Sequence, residues 1–358
     1  MFSPSKHKPQ APNGRASVVN PVNRFEKMHI DINESFAEFG TPASVRTEYY
    51  IDNSKEILAK NDSPDVTFTY SINPYRGCEH GCIYCYARPT HEYFGLSSGL
   101  DFETKIFVKK TAPELLRKRF SSKKWIPQFI AFSGNTDCYQ PIERQLKITR
   151  ECLKVFLERR NPVGLITKNA LILRDIDLLQ ELSKWNLVCV TISITTLNPE
   201  LSRRMEPRAS SPQKRLDTLK KLAQAGIPII VSVAPIIPGL TEHELPKILK
   251  AAADCGVKNA AYIMLRLPYS VKELMQTWLK ANYPNQENRT LNAIKTTRNG
   301  TLNNHQFGMR MSGEGPRAET IKQMFRLSCQ RYGLSIEPLE VETQHFRRLQ
   351  SGQLTLEF

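Results

Sequence analysis

The sequence predicts an α/β fold whose central part, residues 65 to 268, forms a partial (β/α)6 barrel of the TIM type. In that region, short apolar runs rich in β-branched residues alternate with stretches of helical periodicity, which is typical of a parallel sheet covered by helices. The repeats are too few to close a barrel of eight strands. We therefore expect an open, curved sheet with helices on its outer face.

The apolar runs define the predicted strands, and capping residues define the helices between them. The strands are expected at residues 66–72, 105–109, 128–133, 163–167, 187–194 and 228–236, with a further candidate at 260–265. The helix signals are the capping-box pairs Thr111 with Glu114 and Thr241 with Glu244, and the sequence Ser211-Pro212 with Gly226 beyond it.

The two flanks of the barrel differ from it in composition. Residues 1–64 lack sustained periodicity and predict a basic arm followed by a strap laid across the body, with little chemistry of its own. Residues 269–358 predict a C-terminal extension packed on the barrel. This extension contains a polar stretch, a helix at about residues 316–332 and a short terminal peptide, residues 353–358.

The charge balance favours a polyanionic partner. Fifty Lys and Arg against 35 Asp and Glu give the 358 residues a net charge of +15, and the excess is concentrated in residues 105–124 and 203–221. This favours binding to nucleic acid, although solvated, lysine-rich helix faces produce the same pattern. No apolar run approaches the roughly 18 residues of a membrane span, and the N-terminal residues lack an apolar signal. We expect a cytoplasmic protein with no membrane partner.

Three of the eight cysteines form a short motif that predicts metal chemistry. Cys78, Cys82 and Cys85 have the spacing C-x3-C-x2-C just beyond the first predicted strand. Three thiolates on one loop can hold three irons of a [4Fe–4S] cluster and leave the fourth iron open for a small-molecule ligand. The alternative is a zinc site with His80 or a distant cysteine as the fourth ligand. In a cytoplasmic chain, clustered cysteines more often bind metal than form disulfides, so both metal sites are favoured over a disulfide.

This motif, with Tyr84 before its last cysteine, resembles the C-x3-C-x-aromatic-C signature of the radical S-adenosylmethionine (SAM) superfamily. The chain is more narrowly similar to the branch that contains spore photoproduct lyase and its "DNA repair photolyase" relatives. The similar segments are NPYRGCEHGCIYCYARPTHEY, FSGNTDCYQPIE, LITKNALILRD, SITTLNPELSRRMEPRASSPQKRL and VAPIIPGLTEHE.

The resemblance implies a shared mechanism and its cofactors. SAM binds the open iron, an electron from the [4Fe–4S] cluster cleaves it, and a 5′-deoxyadenosyl radical abstracts hydrogen from the substrate. The electron comes from a donor such as flavodoxin or ferredoxin.

The resemblance also implies which residues contact SAM. Tyr84 packs against its adenine, and Ile237 and Gly239 match part of the adenine-contacting stretch after a late strand. Lys168 and Ser193, at the ends of the fourth and fifth predicted strands, resemble the SAM-contacting lysine and serine of the lyase. Arg208 is a candidate partner for the SAM carboxylate or a substrate phosphate, and a solvated arginine is the alternative.

Cys138 is the candidate catalytic thiol. It lies just beyond the third predicted strand, near the cysteine loop, and a thiol there could return hydrogen to a product radical. The resembling lyase has a cysteine in that role, but its local motif differs. The alternative is a passive thiol near the pocket.

These observations predict a radical SAM enzyme that acts on nucleic acid in a lyase or repair-type reaction. One alternative is a radical SAM enzyme that modifies tRNA, a peptide or another small substrate. The other is a non-catalytic iron–sulfur or zinc protein that binds nucleic acid. Residues 353–358, QLTLEF, resemble the hexapeptides that bind the bacterial DNA sliding clamp, and a terminal strand paired with the barrel edge is the competing interpretation.

Overall fold

A computed structural model describes residues 11–25 and 45–348. Within these ranges, no helix is long and apolar enough to cross a membrane. The strands are β1 Glu48–Ile51, β2 Leu58–Lys60, β3 Tyr70–Ile72, β4 Tyr75–Arg76, β5 Lys105–Val108, β6 Ile130–Phe132, β7 Val163–Thr167, β8 Val188–Ser193, β9 Ile229–Ile236 and β10 Asn259–Met264.

The main sheet has seven strands in the order β10-β9-β8-β7-β6-β3-β2. Its six strands from β10 to β3 are parallel, whereas β2 pairs antiparallel with β3 at the edge. Because parallel neighbours need a crossover, helices separate most of these strands along the chain. This confirms the predicted α/β fold with a parallel sheet of six strands.

One predicted barrel strand is wrong. Residues 105–109 do contain a strand, β5, but it belongs to a separate sheet of three strands in the order β1-β5-β4. Burial alternates along β5, which is typical of a half-covered sheet, whereas all three residues of β6 are buried. The sixth parallel strand is instead β10, at the position of the additional candidate 260–265.

Eleven α-helices occur in the described residues, several of them between the strands of the main sheet. They are α1 Leu100–Thr104, α2 Ala112–Ser121, α3 Glu143–Leu146, α4 Ile148–Arg159, α5 Ile176–Ser183, α6 Pro199–Met205, α7 Pro212–Gln224, α8 Leu245–Asp254, α9 Val271–Asn282, α10 Glu287–Thr296 and α11 Gly315–Tyr332.

Only some of the predicted caps form. The Ser211 side chain accepts from the N–H of Lys214 at 3.4 Å and caps α7, as predicted. Neither predicted capping box is present: Thr111 makes no capping hydrogen bond, and the Thr241 hydroxyl accepts from the N–H of Ile237 at 2.9 Å instead. Because the Thr241 hydroxyl accepts this hydrogen bond from the backbone just after β9, it does not cap the helix that follows.

The regions outside the barrel contain more regular structure than the sequence predicts. Strands β1 and β2 lie in the part expected to be an arm and strap, and the C-terminal extension contains helices α9 and α10, which the sequence does not predict. In α9, Trp278 and Leu279 are buried despite their polar neighbours. Helix α11 agrees with the predicted helix at 316–332 and packs against α8. The terminal peptide 353–358 lies outside the described residues.

Two apolar clusters make up most of the core. The larger one fills the space between the main sheet and its helices and includes Cys138. The second cluster contains Cys82 and Tyr84, which belong to the loop of the three motif cysteines Cys78, Cys82 and Cys85. It also contains Ile237 and buried residues of α9. The second cluster thus connects the barrel end to the C-terminal extension.

Candidate functional site

The three cysteines of the motif lie on one loop, which follows β4 at the carboxyl ends of the parallel strands. Two turns shape it: the N–H of Gly81 donates to Cys78 O at 3.2 Å, and the N–H of Cys85 donates to Cys82 O at 3.2 Å. The N–H of Cys78 also donates to Phe102 O at 2.9 Å. All three thiols are free, and the two turns lie between successive cysteines of the motif.

Two glycines make this loop possible. Gly77 and Gly81 adopt φ values of +77° and +66°, which side chains rarely tolerate. A Cβ atom at Gly77 would lie 2.9 Å from the His91 ring, and one at Gly81 would lie 2.7 Å from the Glu103 carboxylate. The loop therefore needs glycine at both positions for conformation and for space.

A buried arginine supports the loop from below. The Arg88 guanidinium donates to Cys82 O at 2.9 Å and to Gly81 O at 3.0 Å, and it pairs with the Glu103 carboxylate at 2.6 Å. Arg88 and Glu103 are both fully buried. Because the arginine binds loop carbonyls directly, it fixes the backbone that carries Cys82.

The N-terminal segment covers the same acidic residue. The backbone N–H groups of Ala16 and Ser17 donate to the Glu103 carboxylate at 3.2 and 3.1 Å, and the Arg15 guanidinium donates to Glu103 O at 2.7 Å. Residues 15–17 therefore form part of the support of the cysteine loop.

Glu79 connects the cysteine loop to three other segments of the chain. This buried carboxylate pairs with Arg208 at 3.0 Å and accepts from the Thr47 hydroxyl at 3.2 Å and the N–H of Ile142 at 2.9 Å. The N–H of Glu79 donates to the Gln140 side chain at 2.9 Å. Arg208, predicted from sequence as an anion-binding or solvated residue, is thus engaged with the loop itself.

His80 is also committed to a neighbouring loop. Its Nδ1 atom lies 3.3 Å from the Asp137 carboxylate, and its Nε2 atom lies 3.0 Å from the Asn169 side chain. Burial alone would raise the pKa of Asp137, but His80 and hydrogen bonds from Lys168 N–H and Thr167 Oγ1 hold it below its ordinary value. The loop after β6 is therefore joined to the cysteine loop.

Lys168 lies directly after β7 and points to the adjacent strands. Its ammonium donates to Ala234 O at 2.9 Å and to the Thr195 hydroxyl at 3.3 Å, and it lies 3.5 Å from the Glu206 carboxylate. Burial, followed by repulsion from Arg215, lowers the pKa of Lys168 to about 8. The Lys168 ammonium also lies over the ring of Tyr84, the residue before Cys85, which places it beside the cysteine loop.

Tyr84 reaches the same polar network. Its hydroxyl donates to the Glu206 carboxylate and lies 3.1 Å from the Thr195 hydroxyl, and the Lys168 ammonium is 5.8 Å from its ring centre. Glu206 pairs on its other side with Arg215, and both are buried. Tyr84 and Lys168, predicted separately, therefore meet at one carboxylate.

The remaining predicted SAM contacts lie on neighbouring strand ends. Ser193 is the last residue of β8 and is buried. Ile237, just after β9, belongs to the apolar cluster that contains Tyr84. Gly239 has a φ of +78°, and a Cβ atom there would lie 2.9 Å from the Ala293 side chain. These positions surround the carboxyl end of the sheet next to the cysteine loop.

Comparison with known proteins decides the family of this site. The sequence model of the radical SAM superfamily matches residues 72–252, about half of the chain, from the strand before the cysteine loop to helix α8. This chain belongs to the radical SAM superfamily. The relationship predicted from the cysteine motif is confirmed.

Radical SAM relatives with similar sequences occur in bacteria, archaea and phages. An uncharacterised protein of Mycobacterium tuberculosis is 33% identical over 237 residues, which cover 64% of this chain and 70% of that protein. One of Methanocaldococcus jannaschii is 34% identical over 175 residues, or 49% of this chain and 63% of that protein. A radical SAM Nα-GlyT isomerase of a Pseudomonas phage is 24% identical over 197 residues, or 55% of this chain and 39% of that protein.

Solved radical SAM structures share the fold. Spore photoproduct lyase complexed with dinucleoside spore photoproduct aligns with a TM-score of 0.59 and 17% identity over 80% of this chain and 81% of that one. A double mutant of that lyase with bound AdoMet and dinucleoside spore photoproduct aligns with a TM-score of 0.58. The predicted partial barrel of the TIM type is therefore the fold of this chain.

Superfamily membership confirms the predicted cofactors, a [4Fe–4S] cluster and SAM. The cysteine loop fits the cluster chemically. Burial, the largest cause, raises the pKa of the Cys78, Cys82 and Cys85 thiols above the ordinary value, so iron cations are needed to bring them to the thiolate form.

His80, the proposed fourth zinc ligand, already has a partner on each ring nitrogen, Asp137 at 3.3 Å from Nδ1 and Asn169 at 3.0 Å from Nε2.

Cys138 lies apart from these residues. It is fully buried in the larger core cluster, and its backbone is held by Ser133 Oγ, which accepts from its N–H at 2.8 Å, and by the Thr149 hydroxyl, which donates to its carbonyl at 2.7 Å. Burial raises the pKa of its thiol well above the ordinary value. Its neighbour Asp137 contacts the cysteine loop, so Cys138 lies close to the site but inside the protein.

Sequence reasoning missed the buried ion pairs of the site. The sequence patterns predict no role for the pairs Arg88–Glu103 and Glu206–Arg215. The available signal was weak: an acidic residue isolated in a run of arginines is a candidate for a buried partner of one of them.

Proposed function

We propose that this radical SAM enzyme acts on nucleic acid in a lyase or repair-type reaction. The observation that carries the proposal is the shared fold with spore photoproduct lyase bound to dinucleoside spore photoproduct, over about 80% of both chains in three structures. The net charge of +15 supports a polyanionic substrate.

In this proposal, Cys78, Cys82 and Cys85 hold three irons of the cluster. When bound, the cluster and SAM together supply a 5′-deoxyadenosyl radical that abstracts hydrogen from the substrate. The protein orients the thiolates and excludes water from them. The Arg88–Glu103 pair does this by binding the loop carbonyls, and burial of the loop excludes water.

The SAM-binding residues surround that loop. Tyr84 and Ile237 contact the adenine through their apolar side chains. Gly239 allows a backbone turn that leaves room for the adenine. Lys168 and Ser193 contribute polar contacts at the ends of β7 and β8. Glu206 orients both Tyr84 and Lys168, because each of these side chains lies against its carboxylate.

For Arg208 we propose a role that differs from the one that the sequence predicts. Because it pairs with Glu79 and contacts Thr47, its charge is partly neutralised before any ligand binds. We therefore propose that Arg208 stabilises the cysteine loop and carries at most a second hydrogen bond toward a SAM carboxylate.

The basic surface is smaller than the sequence count indicates. Within residues 203–221, Arg208 and Arg215 are paired with carboxylates. Lys214, Lys220 and Lys221 remain exposed on α7. In the other run, Lys118, Lys123 and Lys124 are exposed near the end of α2. These exposed lysines are the proposed phosphate contacts.

The second candidate is a radical SAM reaction of another kind, on tRNA, a peptide or a small substrate. The name of the phage relative supports only the change of reaction type, because that protein is an isomerase and not a lyase. The experiment that decides is incubation of reduced, reconstituted enzyme with SAM and with ultraviolet-irradiated DNA, tRNA or peptides that carry deuterium on carbon.

We expect deuterium in the 5′-deoxyadenosine or SAM recovered with the irradiated DNA and not with tRNA or peptides, because the 5′-deoxyadenosyl radical takes its hydrogen from the substrate. A Cys85→Ala variant is the control, because it should transfer no deuterium from any substrate. Deuterium transferred only from tRNA or peptide would assign the second candidate. Binding of DNA should also weaken steeply with salt, since each neutralised phosphate releases counterions.

Two partners remain predictions. An electron donor such as flavodoxin or ferredoxin should support SAM cleavage in place of a chemical reductant. A peptide of residues 349–358 should bind purified sliding clamp in the micromolar range, about 8 kcal/mol, and replacement of Gln353, Leu356 and Phe358 by Ala should abolish this binding.

A further inference from the structure

Three aromatic rings surround one arginine on the surface next to the cysteine loop. Tyr93 is 70% exposed, Phe25 55% and Tyr269 52%. The Arg24 guanidinium lies 3.9 Å from the ring centre of Tyr269, 4.8 Å from that of Phe25 and 5.7 Å from that of Tyr93. We call these four residues the Arg24 patch. Large rings exposed together in this way typically mark an interaction surface.

The Arg24 patch is held in place by hydrogen bonds. Arg24 forms an ion pair with the Glu92 carboxylate, whose other oxygen accepts from the Ser270 hydroxyl at 2.9 Å. The Asn23 side chain donates to Glu92 O at 2.9 Å. Because Ser270 follows Tyr269, and Glu92 precedes Tyr93, these bonds fix two of the rings to each other. The exposed surface is therefore ordered before any ligand binds.

The patch is directly connected to the proposed active site. Tyr93 belongs to the 3₁₀-helix Arg88–Phe94, which starts three residues after Cys85. Arg88, at the first position of this helix, binds the carbonyls of Gly81 and Cys82. A ligand on the patch therefore lies one short helix away from the loop that holds the cluster.

We propose that the Arg24 patch binds unpaired bases of single-stranded DNA. Every base offers a flat face to an aromatic ring, and a stacked arginine adds attraction to the faces of such rings. The exposed Lys272, whose N–H donates to Tyr269 O at 3.3 Å, and the net charge of +15 supply further complementarity to phosphate. Duplex DNA hides its base faces by stacking, so the patch discriminates in favour of single strands. The inference rests on the proposed function, which it deepens by naming the form of the nucleic acid.

The test measures binding of the reconstituted full chain to a fluorescein-labelled thymidine 20-mer, to the same strand in a duplex and to a uridine 20-mer. The single DNA strand should bind more tightly than the duplex. Tyr93→Ala and Tyr269→Ala should each weaken binding of the single strand about tenfold. Tyr93→Phe keeps the ring and should remain within about twofold of the unmodified protein.

The salt dependence separates stacking from charge. Loss of a ring should lower affinity at every salt concentration without changing the slope of log affinity against log salt, whereas Lys272→Gln should reduce that slope. Leu327→Ala is the control for an exposed apolar residue elsewhere, since Leu327 is 65% exposed on α11. This variant should bind as the unmodified protein does.

The failures of the two proposals are distinguishable. If the single strand binds the unmodified protein and the Tyr93→Ala and Tyr269→Ala variants with equal affinity, the Arg24 patch is not the binding site. The proposed function is unaffected by that result. If neither form of DNA binds while SAM is cleaved, both proposals fail. Tighter binding of the uridine strand would replace DNA by RNA as the occupant. Self-association that is lost in Tyr93→Ala, without an effect on DNA, would assign the patch to a second copy of the chain.

Discussion

The guanidinium of Arg88 and the carboxylate of Glu103 lie 2.6 Å apart, and neither side chain is exposed. Each also bonds to backbone: Arg88 to the carbonyls of the cysteine loop, and Glu103 to the N–H groups of Ala16 and Ser17. A buried pair of this kind contributes most through the cost of breaking it, because removal of one partner leaves the other charge uncompensated.

Arg88→Ala should therefore lower the free energy of unfolding by about 3–5 kcal/mol. Chemical denaturation followed by circular dichroism measures this loss. Lys184→Ala is the control, because the Lys184–Glu181 pair is exposed on both sides, and its loss should cost less than about 1 kcal/mol. Equal effects of the two substitutions would contradict the supporting role of Arg88.

Gly81 and Gly95 form a matched pair for backbone strain. Both have positive φ, +66° and +69°, but a Cβ atom meets the Glu103 carboxylate at Gly81 and nothing within 4 Å at Gly95. Gly95→Ala should cost about 1–2 kcal/mol from conformation alone. Gly81→Ala should cost about 2 kcal/mol more, because Glu103 is held and cannot move aside. The difference in unfolding free energy tests the crowding at Gly81, and a difference near zero would refute it.

Anaerobic reconstitution should load about four irons and four sulfides per chain with visible absorbance. Cys78→Ala, Cys82→Ala and Cys85→Ala should each abolish both the absorbance and SAM cleavage, because each removes one iron ligand. Cys189→Ala, a buried thiol on β8, should leave both unchanged. Stoichiometric zinc without iron uptake in protein purified without oxygen would overturn the assignment.

Cys138 and Cys152 are both fully buried in the same core cluster, and their substitution by Ala should destabilise the protein similarly, by about 1–2 kcal/mol. If Cys138 donates hydrogen to a product radical, only Cys138→Ala should change the distribution of products while SAM cleavage continues. Chromatography of the reaction products measures this. Identical product distributions in the two variants would make Cys138 a packing residue.

His91 should make the stability depend on pH. Burial lowers the pKa of His91 to about 4, against an ordinary value of 6.5, and its Nδ1 atom is buried without a hydrogen bond. The folded state therefore keeps His91 neutral while the unfolded state takes up a proton, so stability falls as pH decreases from 6.5 to 4. The loss should reach about 2 kcal/mol by pH 5 and about 3 kcal/mol at pH 4.

His91→Gln should remove this part of the pH dependence, because glutamine does not titrate. Urea unfolding at neutral pH and at pH 5 measures the difference between the two proteins. The comparison uses the change with pH and not the absolute stability, since the substitution also alters packing against Phe102 and Phe107. A pH profile that is the same in both proteins would show that His91 is not the responsible group.

The strand pattern predicted the positions of Lys168 and Ser193, because each strand end coincided with the end of an apolar run. Residues 163–167 are β7 itself, and 187–194 contains β8. The same pattern could not show that β5 belongs to another sheet. Its alternation of buried and half-buried residues is compatible with any sheet that has one covered face, and its partner β1 lies more than 50 residues earlier.

The support of the site was not predictable from local patterns. Arg88 and Glu103 have no distinguishing local pattern in the sequence. Their burial depends on contacts with residues 15–17, which are distant in the chain. Glu206 resembles a surface acid until Tyr84 and Lys168 converge on it. Local spacing identified the cofactor ligands, since one loop holds them, whereas the charged partners come from distant segments.

The contact between residues 15–17 and Glu103 spans 86 to 88 positions of the chain. During synthesis, the three cysteines leave the ribosome before Glu103 does. A nascent chain therefore presents its thiols before the structure that shields them can close, which gives both cluster-assembly factors and oxidants a period of access. Released chains truncated at about residue 100 should therefore be alkylated at these cysteines faster than the full-length protein.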